Sequence, residues 1–202
     1  MKIVILCNRD LASCLAVNYL LPALTPDHQL NLIVSARVGG GKPPSPELAQ
    51  LKFAEQDLFN ELVWPLADSL PANRRGSLRS FQALAEATGQ PLLECNRLNS
   101  APELDQFTAI APDLVISIRY GVILKAPVLT VPRLGVLNLH SGPLPAYRGV
   151  MASFWGLLNG ETRLGTTLHT IDDASIDTGR IVATSELPVN RDQSYLWHVL
   201  SL

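Results

Sequence analysis

Asn138 and His140 stand two residues apart at the end of Gly135-Val136-Leu137, an apolar run that reads as a short buried strand. Side chains two apart on a strand point to the same face, so an amide and an imidazole would lie together there. The next stretch, Ser141-Gly142-Pro143-Leu144-Pro145-Ala146-Tyr147-Arg148-Gly149, carries two prolines and two glycines. These forbid regular structure and force a turn just beyond the pair. An amide N–H is a fixed dipole suited to holding an oxyanion. An imidazole, with an unperturbed pKa of about 6.5, can take or give a proton near neutral pH. Ser141 beside His140 raises nucleophilic catalysis as a rival. Adjacent residues at a strand end diverge, and the chain has no Gly-x-Ser-x-Gly elbow, so that chemistry is rejected.

The pattern Asn-x-His-x-x-x-Leu-Pro-x-Tyr-Arg-Gly over residues 138–149 resembles the signature of the folate-dependent formyltransferases. That family includes the methionyl-tRNA, glycinamide ribonucleotide and sugar N-formyltransferases. Two further stretches extend the resemblance in the same order, Gly165-Thr166-Thr167-Leu168-His169 and Ile176-Asp177-Thr178-Gly179-Arg180-Ile181. It implies that Asn138, His140 and Asp177 form a catalytic set, with 10-formyltetrahydrofolate as formyl donor and no metal. It also implies that the segment Tyr120, Gly121, Val122, Ile123 and Leu124, together with Ser175 and Ile176, lines the folate pocket. Val122 to Leu124 read equally well as plain core. Arg148, His169 and Asn8 are expected in substrate-side or supporting roles. For Arg148 that means anchoring its loop, and for His169 a place near the site or a packed ring bonded to backbone. His28 and His198 have no motif around them and are expected on the surface or in helices.

Formyl transfer needs an amine to attack a formamide carbonyl, which creates a tetrahedral carbon bearing an oxyanion. The oxygen must be stabilised, a proton must leave the attacking nitrogen, and one must reach the leaving nitrogen. Under the resemblance, Asn138 and His140 hold the oxygen and Asp177 manages the protons. No covalent nucleophile is required.

The elements that must carry these groups read as an α/β domain. Lys2 to Cys7 is a buried first strand, Asn8-Arg9-Asp10 breaks it, and Leu11 to Leu24 has helical spacing with Asp10 or Asn8 as cap. Leu30 to Ser35 is the second strand, and this βαβ opening favours a parallel sheet. Glu47 to Leu70 is expected as two helical pieces broken at Pro65. Ser77 is expected to cap a helix running to Thr88, which Gly89 and Pro91 end. A short strand at 92–95, a helix at 101–111 and a buried strand at 113–118 follow. After the signature come a helix at 151–158, strands at 166–171 and 181–189, and a last helix capped by Asp192 or Ser194. The expected fold is thus a three-layer, Rossmann-like domain with a mostly parallel sheet. Ligands in such folds bind at the carboxyl ends of the strands. The chain is expected to be one catalytic domain, 1–202, cut short at its carboxyl end.

Composition excludes several classes. The formal charge of −2 supplies no basic field for a polyanion, and Arg74-Arg75 reads as a solvated turn. The first loop lacks Gly-x-Gly-x-x-Gly, which argues against a dinucleotide or a phosphorylated substrate there. Gly39-Gly40-Gly41-Lys42-Pro43-Pro44-Ser45-Pro46 lacks the Ser or Thr of a P-loop and, with Arg37, reads as a surface loop rather than a basic lid. Cys7, Cys14 and Cys95 have neither an even count nor Cys-x-x-Cys spacing, so they make no disulfide framework or zinc site. A cytoplasmic location is expected, and the opening apolar run is too short for a signal peptide or membrane span. The expected acceptor is a primary amine on a small molecule or sugar nucleotide. Initiator tRNA is the alternative, followed by water in a hydrolase and by a folate-binding module without turnover.

Overall fold

The computed structural model describes residues 1–36 and 45–202. The surface-loop reading of 39–46, apart from Ser45 and Pro46, and the expectation for Arg37 lie outside the described residues. The chain opens with β1 (Lys2–Asn8), α1 (Leu11–Leu24) and β2 (Gln29–Ser35). Asp10 caps α1, its Oδ1 accepting from Ser13 N at 2.8 Å, as a short acidic residue before an apolar helix should. Next come α2 (Pro46–Lys52), π turns at Phe53–Asp57 and Phe59–Val63, α3 (Trp64–Ser69), α4 (Phe81–Thr88), β3 (Leu93–Glu94) and α5 (Glu103–Ile110). The second half runs β4 (Leu114–Ile118), α6 (Ala126–Leu129), β5 (Val136–His140), α7 (Ala152–Leu158), β6 (Arg163–Thr170), β7 (Ile181–Pro188) and α8 (Tyr195–Ser201).

One seven-stranded sheet has the order β3-β2-β1-β4-β5-β6-β7. The first five strands in that order are parallel, and β6 and β7 are antiparallel to their neighbours. Alternation along β1 divides the core. Ile3, Ile5 and Cys7 pack with α1, α3 and α4, whereas Val4 and Leu6 pack with Phe107 of α5 and Val128 of α6. The result is the expected three-layer α/β architecture. The chain winds outward from β1 to β2 and β3, then returns to lay β4 and β5 on β1's other side. The crevice at the β1/β4 carboxyl ends is therefore a topological switch point.

Two helix expectations need correction. Pro65 breaks nothing: it stands at the start of α3, where the widened Phe59–Val63 turn gives way to α-helix, so its missing N–H is tolerated as in a first turn. The helix at 81–88 is capped by Ser80 and not Ser77; Ser80 Oγ accepts from Ala83 N at 3.0 Å and donates to Asp68 Oδ2 at 2.6 Å. His198 lies in α8 as expected but is buried, its Nδ1–H donating to Ser194 O and its Nε2 accepting from Asn190 N.

Candidate active site

Val136 of β5 packs into the α5/α6 layer, so Asn138 and His140, two and four residues on, face the same side. Antiparallel pairing with β6 sets His169 opposite Asn138 and Thr167 opposite His140. His169 Nδ1 lies 2.7 Å from the Thr170 carbonyl, which can only accept, so that nitrogen carries the proton. Its Nε2 is therefore a lone pair, and Asn138 Nδ2 donates to it at 3.1 Å. One amide N–H of Asn138 is spent fixing its rotamer, and the other remains for a ligand.

His140 is held in the same manner. Both ring nitrogens face acceptors, Nε2 the Tyr147 carbonyl at 2.6 Å and Nδ1 the Asp177 Oδ2 at 3.4 Å, and the shorter contact places the proton of the neutral ring on Nε2. Asp177 Oδ1 lies 3.4 Å from His169 Nε2, and Oδ2 accepts from Gly149 N at 2.7 Å. One carboxylate thus stands between two imidazoles and holds the end of the signature loop. Asp177 adopts a left-handed backbone, φ 53°, a conformation Asp tolerates better than most residues. Gly179 follows because a Cβ there would collide with the Thr170 carbonyl oxygen, so the turn can lie against β6 only without a side chain.

The loop between His140 and Gly149 is pinned by groups that residue type alone does not reveal. Thr167 Oγ1 donates to Gly142 O at 2.8 Å and accepts from Leu144 N at 3.1 Å. Ser153 Oγ of α7 donates to Ser141 O at 2.8 Å. A Cβ on Gly142 would meet His140 Nε2 at 2.9 Å and Ala152 Cβ at 2.5 Å, so the loop passes over the imidazole only because residue 142 is glycine. Arg148 is exposed, and among the described residues the loop is anchored by Thr167, Ser153 and Asp177 rather than by its side chain.

The remaining predicted residues divide into open and packed ones. Tyr120 and Leu124 are packed against the α5/α6 layer, with Tyr120 Oη donating to Cys95 O at 2.7 Å. Gly121 N donates to Ser35 Oγ, Val122 is half-buried, and Ile123 is exposed. Ser175 and Ile176 are exposed on the turn before Asp177. Asn8 is buried and gives Nδ2–H to Asp10 Oδ2 at 2.8 Å, so it braces the first loop and does not join the imidazole cluster. Beside it, Arg119 follows β4 with φ 55° and pairs with Asp10 at 3.1 Å and with Glu55 at 3.5 Å.

The formyl transferase family profile matches residues 57–196, most of the chain, including every residue of this cluster. The chain belongs to the formyl transferase family. A methionyl-tRNA formyltransferase of Synechococcus sp. (strain JA-3-3Ab) is 40% identical over 114 residues, a match that covers 56% of this chain and 35% of that relative. The chain therefore spans only about a third of the curated relatives it matches. Among solved structures, glycinamide ribonucleotide transformylase 1 from Symbiobacterium toebii superposes with a TM-score of 0.63 at 17% identity, covering 100% of this chain and 81% of that one. An N-formyltransferase from Helicobacter canadensis, solved in complex with folinic acid and dTDP-3-aminofucose, gives 0.54 at 22% identity over 100% of this chain and 59% of that one. At these identities the structural likeness establishes the fold. Among the described residues, no helix is long and apolar enough to cross a membrane.

Proposed function

We propose that this domain transfers a formyl group from 10-formyltetrahydrofolate to a primary amine on a small molecule or sugar nucleotide. The observation that carries the reading is the Asn138/His140/Asp177 cluster, with His140 Nδ1 3.4 Å from the Asp177 carboxylate and one Asn138 N–H left for a ligand. The chemistry of the donor set fits the donor substrate. Ile123 and Ile176 are exposed and offer apolar side chains to a flat, amide-bearing ring. When bound, the donor supplies a formamide carbonyl whose nitrogen can leave.

Asn138 donates its free N–H to the carbonyl oxygen as negative charge gathers there, held in place by His169. His140 offers the Nδ1 lone pair, and the proton given up by the attacking amine settles between Nδ1 and Asp177. The new C–N bond forms, the old one breaks, and the same proton is delivered to the leaving nitrogen. With Nε2–H bonded to the Tyr147 carbonyl, His140 serves the oxyanion through the positive charge it gains rather than through a direct N–H.

Transfer to initiator methionyl-tRNA is the second reading, favoured by the 40% identity to the Synechococcus methionyl-tRNA formyltransferase. A formal charge of −2 favours the small acceptor. Both are tested by measuring tetrahydrofolate release from 10-formyltetrahydrofolate with amino-sugar nucleotides, small amines and charged initiator tRNA in turn. Release that depends on one of them names the acceptor. Release without any amine would replace transfer by hydrolysis.

A further inference from the structure

The hydroxyl of Tyr147 is a contact for which the reaction above has no use. Tyr147 Oη donates to Glu161 Oε1 at 2.7 Å and accepts from Asn159 Nδ2 at 3.2 Å. Asn159 ends α7, and Glu161 lies in the turn between α7 and β6. Through its carbonyl, the same Tyr147 meets His140 Nε2 at 2.6 Å. Helix α7 already grips the other end of the loop, with Ser153 Oγ on Ser141 O and Ala152 beneath Gly142. The helix is itself fixed by burial of Ala152, Ser153 and Gly156. The loop over His140 is therefore clamped at both ends by one element, and the carbonyl that selects the His140 tautomer sits between the clamps.

We propose that Glu161 and Asn159 act through the Tyr147 hydroxyl as positioning residues that hold the Tyr147 carbonyl on His140 and so keep the Nδ1 lone pair turned to Asp177. The Tyr147 carbonyl at 2.6 Å and the Asp177 carboxylate at 3.4 Å compete for the one proton of the neutral His140 ring, and the shorter contact favours the Nε2–H tautomer. Released from the carbonyl, the ring distributes between two, and only one of them can take a proton at Nδ1. Glu161 thus serves proton transfer from outside the site, on an exposed turn.

The inference rests on the role assigned to His140, and its test has a readout that does not need turnover. The imidazole nitrogens of His140, assigned by their loss in His140→Asn, are observed by long-range proton–nitrogen NMR at neutral pH in the intact chain. The comparison set is Tyr147→Phe, Glu161→Ala and Glu161→Gln. Tyr147→Phe removes one oxygen and keeps the ring, so far-ultraviolet circular dichroism and the urea unfolding midpoint should be nearly unchanged. Wild type is expected to show His140 protonated at Nε2. In Tyr147→Phe and Glu161→Ala the signals move toward a tautomer mixture, kcat falls by about tenfold, and KM for the donor changes by less than about twofold. A tenfold loss is below the roughly 100-fold that a full ångström of misplacement can cost. Glu161→Gln, which keeps an acceptor oxygen, restores both signals and rate. A His140 that keeps one tautomer in both Tyr147→Phe and Glu161→Ala would overturn the inference, as would a changed tautomer with unchanged kcat. If wild type transfers no formyl group at all, the proposed function fails, and the NMR comparison alone decides the inference.

Discussion

Asp177 lies 3.4 Å from an imidazole nitrogen of both His140 and His169, so changes at this carboxylate reach every other member of the cluster. Asp177→Asn substitutes a neutral amide where the proposed reaction needs a proton acceptor. His140→Asn removes the imidazole whose Nδ1 faces Asp177 Oδ2. Each should lower kcat by about 100- to 10,000-fold, the range general acid–base groups supply, with thermal unfolding little changed. Gly142 is a different case, because its substitution acts by volume. Gly142→Ala pushes a methyl group onto His140 Nε2 and Ala152 Cβ, at 2.9 and 2.5 Å. The expected cost is about 1–3 kcal/mol of stability by urea unfolding, as for other overpacked sites, together with a loss of turnover.

Cys7 and Cys14 lie where β1 and α1 pack together, and Cys95 follows β3; all three are buried. Burial raises the Cys14 thiol to about 12 and the Cys95 thiol to about 11, and pushes Cys7 up as well. None should react with a thiol reagent near neutral pH until the chain unfolds, at which point all three become titratable. The π turns pose the opposite problem, a buried charge. Burial raises the pKa of Glu55, and Asp10 adds to this while Arg119 opposes it. A carboxylate whose folded pKa lies above its unfolded value weakens the fold when ionised. The fold regains that stability as pH falls through the raised value toward the ordinary carboxylate range. Wild type should therefore gain stability relative to Glu55→Gln on acidification from neutral pH, measured as the difference between their urea midpoints. The π geometry itself left no mark in the sequence. Glu55 and Asn60, five residues apart, turn to the same side, Glu55 to Arg119 after β4 and Asn60 to the Arg9 carbonyl of the first loop, as i→i+5 winding allows and α-helical winding does not. By contrast α1 was legible to the residue, because apolar spacing and an Asp cap agree. Ser80 prevailed over Ser77 through Asp68, a partner that local pattern cannot reveal.

The layers and the strand-end pair followed from the succession of strands and helices along the sequence, whereas the β1/β4 switch point needed the strand order that only the folded sheet shows. That Asn138, His140 and Asp177 lie together was legible through their linked motifs. The Tyr147 carbonyl and the Gly149 N–H were not, because a backbone group has no residue-type signature. The packed state of His198 was hidden for a related reason, since its partners Ser194 and Asn190 contribute backbone atoms. At the scale of the whole molecule, the carboxyl end of β5 and the loop after β6 bring an amide, two imidazoles and a carboxylate together, and the function proposed for them is transfer of a formyl group to an amine. The most direct test is the rate of tetrahydrofolate release from 10-formyltetrahydrofolate, with and without the panel of amines, in wild type and in Asp177→Asn. Under the proposed transfer, release requires one amine and falls by at least about 100-fold in the variant. Amine-dependent release that is as fast in Asp177→Asn as in wild type would contradict it.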